Sequence, residues 1–295
     1  MHPSEEDSKL NLVPAETSEE LAHRFQRERR AVSLQREDRL GASLAPFRVG
    51  SVPYLNAVPL TRGLESQVVF HPPSELARQL RNNELDAALV SVTEALFNDC
   101  YDVLDGIAIA ALGEVKSVFL AHRRPLAEIE EVFCDTSSLA SVNLLRVLLG
   151  EHGWRPRFKP LPSHADAAQA DYVLLIGNPA LDFALSEHTH EIWDLGSAWL
   201  DLTNLPFVYA VWTLRRGVEN ASLRRQLREA KDFGVDTLDH IIATRTEYSY
   251  DFRKDYLTWH IHFHLGSDEK RGMAKFIELL RKHTSQTVYE PRFVA

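Results

Sequence analysis

The sequence predicts an α/β fold of mostly parallel sheets flanked by helices. Three observations predict it. From residue 47 onward, short β-prone runs alternate with stretches of helical period. Some runs, such as Ala87-Ala-Leu-Val-Ser91 and Tyr172-Val-Leu-Leu-Ile176, are almost wholly apolar, as strands covered on both faces are. Polar residues recur where strands end and helices begin, at Asn56, Ser91, Ser117, Thr136-Ser137-Ser138 and Asn178. Open parallel sheets bind ligands at such places. Each residue alone also suits a turn or a cap; one cleft collecting all of them is the functional reading.

The elements follow in order. Phe47–Val52 reads as a strand ending in a Gly-Ser turn, and Gln67–Phe70 as a second. Ser74 is the expected N-cap of a helix whose Leu76, Ala77 and Leu80 share one face. "DAALVS" is a buried strand reaching Ser91, and Thr93 and Glu94 open the next helix. Residues 106–120 hold two strands around "GEVKS", and Glu131–Cys134 is another. "TSSLASVNLLRVLLGEHGW" has hydroxyls at its start and Gly150 or Gly153 at its end, a helix signature. Tyr172–Ile176 is a strand before Gly177-Asn178-Pro179 and a further helix. Phe207–Thr213 is strongly β-prone, and the chain is mostly helical from Ala221.

Residues 1–46 differ. They are dense in charge, with apolar residues sparse at Leu21, Phe25 and Leu34, and read as a flexible or loosely helical extension. The 295-residue chain is 44% apolar and 25% charged, enough for one large or two ordinary domains. Its net charge of -9 argues against non-specific binding to nucleic acid or anionic membrane. Cys100 and Cys134 lack metal-finger spacing and read as reduced, packed thiols. The acidic start shows no signal-peptide pattern and no apolar run is long enough to span a bilayer, so a cytoplasmic location is expected.

"WHIHFHLG" raises the question of a metal. On a strand, His260, His262 and His264 would share a face as zinc ligands do. Leu257, Ile261 and Leu265 recur every four residues, however, with Gly266 as a C′ residue and Ser267 as the next cap. This predicts a helix, on which His262 points away from the other two, and no metal site. There is no GxSxG, no Walker loop and no GxGxxG. Thr136, Ser137, Ser138 and Ser141 at a helix start suit a carboxylate, through hydroxyls, free N–H groups and the positive dipole end.

Several segments, taken in order, resemble the chorismate dehydratases of the futalosine route to menaquinone. They are "RVGSVPYLNAVPLTRGLE", "GEVKSVFLAHR", "TSSLASVNLLRVLL", "YVLLIGNPAL" and "DLGSAWLDLTNLPFVYAVW". The resemblance covers about residues 48–280. It implies a two-lobed fold like type 2 periplasmic binding proteins, lobe 1 being 47–119 plus 213–295 and lobe 2 being 120–212. Crossings are expected near Phe119-Leu120 and Val211-Trp212. It implies no metal or organic cofactor, a dicarboxylate substrate, and Asn56 and Ser117 as catalytic residues. Ser91, Thr136, Ser137, Ser138, Ser141 and Asn178 are the expected substrate-binding set. This chain has Leu139 where relatives often carry Arg and Ala140 where Thr is common, and Asn178 and Asn204 also depart from the pattern. The alternatives are a non-catalytic receptor for a small carboxylate and the sister dihydroxynaphthoate synthase activity. For the dehydratase reaction the base is either the substrate's own carboxylate or Glu94.

Overall fold

Two mixed β-sheets with helices packed on them organise the chain from Leu40 to its end. The computed structural model describes residues 17–40 and 44–295; the remainder of the expected N-terminal extension lies outside the described residues. Helix α1, Ser18–Leu40, exposes Phe25, Val32 and Leu34, and the Arg24 guanidinium sits over the Phe25 ring. The core begins earlier than the expected boundary at residue 46. Leu40 and Leu44 are buried, and the Gln67 amide donates to the Leu40 carbonyl and accepts from the Leu44 N–H.

The elements then run β1 Val49–Ser51, β2 Val68–Phe70, α2 Pro73–Arg81, β3 Ala87–Ser91, α3 Val92–Phe97 and β4 Tyr101–Ala111. Next come β5 Val118–His122, β6 Glu131–Cys134, α4 Leu139–Glu151, β7 Arg157–Pro160 and β8 Tyr172–Ile176. They are followed by α5 Gly177–Leu185, β9 Glu191–Asp194, α6 Leu195–Thr203 and β10 Phe207–Arg215. The chain closes with α7 Ala221–Asp236, α8 Leu238–Thr244, α9 Tyr250–Asp255, α10 Ser267–His283 and β11 Phe293–Val294.

The six-stranded sheet has the order β11-β4-β10-β3-β1-β2, and the five-stranded sheet β7-β6-β8-β5-β9. Pairs among β1, β2 and β3, and among β6, β7 and β8, are parallel, as alternation with helices predicts. β10 pairs antiparallel with β3 and β4, and β5 antiparallel with β8 and β9. These two are the strands by which the chain enters a sheet from the other one. The crossings occupy 112–117 and 195–206. They do not fall at Phe119-Leu120 or Val211-Trp212, which are paired within β5 and β10.

Other expectations are corrected locally. Pro72 and Pro73 open α2, with no side-chain cap from Ser74. Their fixed φ starts the helix without one. Gly150 lies inside α4, and Gly153 takes the positive φ after it. Cys134 is buried but Cys100 is exposed. The segment read as helix to Leu265 is a π-type turn over Tyr256–His260, then extended backbone from Ile261. His262 bridges Ala110 by two backbone hydrogen bonds. Gly266 is the N-cap of α10, not the C′ residue of an earlier helix.

Side-chain packing joins the layers. Trp199 of α6, Phe207 of β10 and Phe276 of α10 meet edge to face with centroids 4.8–5.9 Å apart. The Trp199 indole donates to the Pro206 carbonyl at 3.2 Å. The turn Leu55–Leu60, with Pro59 inside it, lies on α7 at Gly234. A Cβ on Gly234 would stand 1.9 Å from the Pro59 carbonyl oxygen. Gly234→Ala should therefore destabilise the fold by about 1–3 kcal/mol. Val235→Ala, on the exposed side, should change it by no more than about 0.5 kcal/mol. Denaturant unfolding of both variants checks this.

Candidate active site

A cleft of about 560 Å³, its mouth included, opens where the carboxyl ends of β1, β3 and β8 and the start of α4 converge. The lining includes Tyr54, Asn56, Ser91, Val115, Ser117, Ser138, Ser141, Gly177, Tyr209 and Ile261. Five of the sequence-predicted residues thus meet there: Asn56, Ser91, Ser117, Ser138 and Ser141. Thr136, Ser137 and Asn178 are not on the lining. Thr136 is exposed. The Ser137 hydroxyl and N–H both donate to Asp135, and the Asn178 carbonyl faces the Tyr248 hydroxyl.

Asn56 is delivered by the turn that Pro53 and Pro59 bracket. Tyr54 of that turn packs its ring against Gly177, where a Cβ would lie 3.3 Å away and φ is +60. The positive φ favours glycine there, and a Cβ would also crowd the Tyr54 ring. Among the described residues, none donates to the buried Asn56 Oδ1. A buried acceptor in that state favours a ligand that brings a hydroxyl or an N–H. The other end of the amide faces the Tyr256 phenol.

Ser117 sits on the strap between β4 and β5. Tyr256 is fully buried and donates to Ser117 Oγ at 2.8 Å. Because Oγ accepts that bond, the serine's own proton is free to point elsewhere. Burial pushes the Tyr256 phenol up to about 12, so it stays a donor at neutral pH. Sequence reasoning missed Tyr256 because its contact with Ser117 spans 139 residues and no local pattern marks it.

Asp194 shapes the strap. Its carboxylate caps α6 through the Gly196 and Ser197 N–H groups at 2.9 Å. It also accepts the Val115 N–H at 3.1 Å and the Lys116 N–H at 2.8 Å. Burial raises its pKa and these backbone donors oppose the rise. Gly196 permits the approach, since a Cβ there would lie 2.2 Å from the Gly113 carbonyl oxygen. From outside, Lys116 is held by Asp255 at 2.5 Å, and His260 bridges Asp255 and the Glu114 carbonyl. Among the described residues the buried Tyr209 hydroxyl has no hydrogen-bond partner, and burial with the Asp194 charge keeps it well above the ordinary tyrosine range.

Ser91 Oγ accepts the Ala140 N–H at 2.7 Å and shares a second bond with Thr93 Oγ1. One donor of the expected anion cradle is therefore taken by protein. Ser138 and Ser141 still line the cleft, and their hydroxyls are 3.3 Å apart. Leu139 is exposed and off the lining. Glu94 is also off it: the residue is 1% exposed and paired with Arg81 at 2.6 Å. Burial pushes its pKa up and Arg81 pulls it back. None of the lining residues is lysine or arginine. Charge on a ligand would be met by hydroxyls, an amide, and the N-terminal ends of α4 and α5, where Ser138 and Gly177 lie.

The fold and the cleft between two sheets define a binding-protein-like class. A protein from Archaeoglobus fulgidus matches at TM-score 0.64 and 16% identity, over 80% of this chain and 97% of its own. The alkanesulfonate-binding protein SsuA from Xanthomonas axonopodis pv. citri, bound to MOPS, matches at 0.62 and 14%, over 86% and 99%. Sequence narrows the class further. A family model described as menaquinone biosynthesis matches residues 47–282, and the chain belongs to that family. A chorismate dehydratase from Thermus thermophilus is 34% identical over 263 residues, covering 80% of this chain and 96% of that protein.

Asp194→Ala should lower stability by about 3 kcal/mol. It removes a cap worth about 0.5–2 kcal/mol and leaves buried N–H groups unpaired at about 1–3 kcal/mol. Asp194→Asn retains one acceptor oxygen and should lose less. Chemical denaturation of the two variants measures the difference.

Proposed function

We propose that this chain removes water from chorismate to give 3-[(1-carboxyvinyl)oxy]benzoate, as a carbon–oxygen lyase of menaquinone biosynthesis in the cytoplasm. The observation that carries the reading is the 34% identity to a chorismate dehydratase across 96% of that protein. It is supported by Asn56 and Ser117 lining one cleft.

The reaction breaks the ring C–H bond beside the enol ether and the neighbouring C–O bond. It forms the third ring double bond, so aromaticity drives it. In our reading the substrate's enolpyruvyl carboxylate takes the ring proton, which leaves with the hydroxyl as water. Asn56 Oδ1 accepts a hydrogen bond from the substrate, and the Ser117 hydroxyl donates one. Tyr256 is a positioning residue that orients Ser117. Holding base and proton in line is worth about 7–11 kcal/mol. Ser138, Ser141 and the start of α4 take a carboxylate, in a site without a cationic side chain. Each sheet with its helices forms one lobe, and the crossings at 112–117 and 195–206 join them.

Purified protein incubated with chorismate should yield the aromatic carboxyvinyl ether, followed by chromatography and absorbance. Binding without turnover by correctly folded protein would overturn the reading. Asn56→Ala and Ser117→Ala should each lower kcat by ~10²–10³ in protein that remains folded, Ser117→Ala also losing about 1–3 kcal/mol of stability for the buried Tyr256 hydroxyl it leaves unpaired. The double variant should be less than additive. Tyr256→Phe should cost about five- to tenfold in kcat, the worth of one ordinary hydrogen bond. Unchanged turnover in any of the three removes that residue from the machinery.

A further inference from the structure

The extended run Ile261–Leu265 alternates. Ile261, Phe263 and Leu265 are buried, and Ile261 lines the cleft. His262 and His264 therefore project to the opposite side, where their rings stack with centroids 4.4 Å apart. His260 takes no part, being engaged with Asp255 and Glu114. Facing the pair is Glu269, in the first turn of α10 and 4% exposed. Its Oε2 is fixed by the Gly266 N–H at 2.8 Å. Its Oε1 lies 3.0 Å from His262 Nε2 and 3.4 Å from His264 Nε2. Among the described residues no lysine or arginine pairs with Glu269; Lys270 goes to Asp105 and Arg271 to Asp268. Among the described residues, imidazoles are thus the only side-chain partners of this buried carboxylate.

We propose that His262, His264 and Glu269 form a site for one divalent ion of the zinc class, outside the cleft, bracing the wall to which Ile261 belongs. The three ligand atoms lie within 4.8 Å of one another. A tetrahedral ion with ligands at about 2.0–2.1 Å places them about 3.3 Å apart. The two separations from Oε1, 3.0 and 3.4 Å, bracket that edge. The donor set of two imidazoles and one carboxylate suits zinc and its neighbours rather than magnesium or calcium. Two of the three ligands are held in place. The His262 backbone is tied to Ala110 in both directions, and the Gly266 bond orients the carboxylate. His264 is largely exposed, which leaves the fourth position to water.

The ion faces away from the lining residues, so its role is structural and separable from chorismate turnover. The test uses tag-free, chelator-treated full-length protein titrated with Zn²⁺ by calorimetry, with Co²⁺ as a visible-absorption probe of tetrahedral geometry. Expected are about one equivalent of Zn²⁺, a rise in melting temperature, and chorismate turnover at 25 °C equal with and without the ion. His264→Ala, at an exposed position, should weaken binding about tenfold or more and abolish the thermal shift, since even residues that only orient ligands cost about 10–100-fold. His260→Ala should bind the ion as the parent does. Absence of stoichiometric binding, or binding unchanged in His264→Ala, would overturn the proposal. Loss of turnover in every form, with metal binding intact, would count against the dehydratase reading alone.

Discussion

The Asp194 carboxylate is the constraint on which the rest of the site depends. It collects four backbone N–H groups from two distant segments, the start of α6 and the strap at Val115 and Lys116. Both crossings between the sheets are thereby sewn to one half-buried carboxylate. The strap is short and sharply folded, with positive φ at Gly113 and Lys116. The non-glycine case at Lys116 is strained unless its surroundings hold it. Asp194 from inside and Asp255 from outside supply that restraint. Ser117 follows directly, so its direction is set by a residue 77 positions later in the chain.

Much of the fold was legible in the sequence. The strands at Glu131–Cys134 and Tyr172–Ile176 have the bounds their apolar runs imply. Asn56 stood out because an amide between prolines has no place in a strand or a core. The cluster of hydroxyls at α4 was legible as chemistry but not as geometry. Nothing local distinguishes Ser138, which reaches the cleft, from Ser137, which turns to Asp135. The misread segment is instructive. Ile261 and Leu265 satisfy a period of four and a period of two equally well, and Phe263 is the residue that decides for two. Asp194, the first residue of "DLGS", went unread: its bonds to the strap are tertiary and leave no local trace.

For the proposed dianionic substrate, a lining without a cationic side chain follows an economical electrostatic logic. A lysine or arginine placed in this apolar cavity would need its own compensation when no ligand is bound. Helix ends and hydroxyls carry no net charge, so the resting protein is not destabilised by an unpaired ion. They also discriminate by direction more than by charge. Asn56 Oδ1 is the counterpart on the acceptor side: no described protein group donates to it, so it favours a ligand that can.

The position of α4 has a mechanical consequence. It belongs with the five-stranded sheet through β8, yet it also packs on α3, β10 and α10 of the other side. Its Ala140 N–H is latched by Ser91, and at its far end Gly150 lies under the His283 ring while Glu151 pairs with His283 and Lys282. A wide jaw-like rotation of the kind a solute receptor uses would have to break both ends at once. The helix acts as a through-bolt, and the space between the sheets behaves as a slot with a fixed back wall. With both ends held, ligand exchange would fall to local movements of the lining, such as the Tyr54 ring resting on Gly177, rather than to a swing of whole lobes.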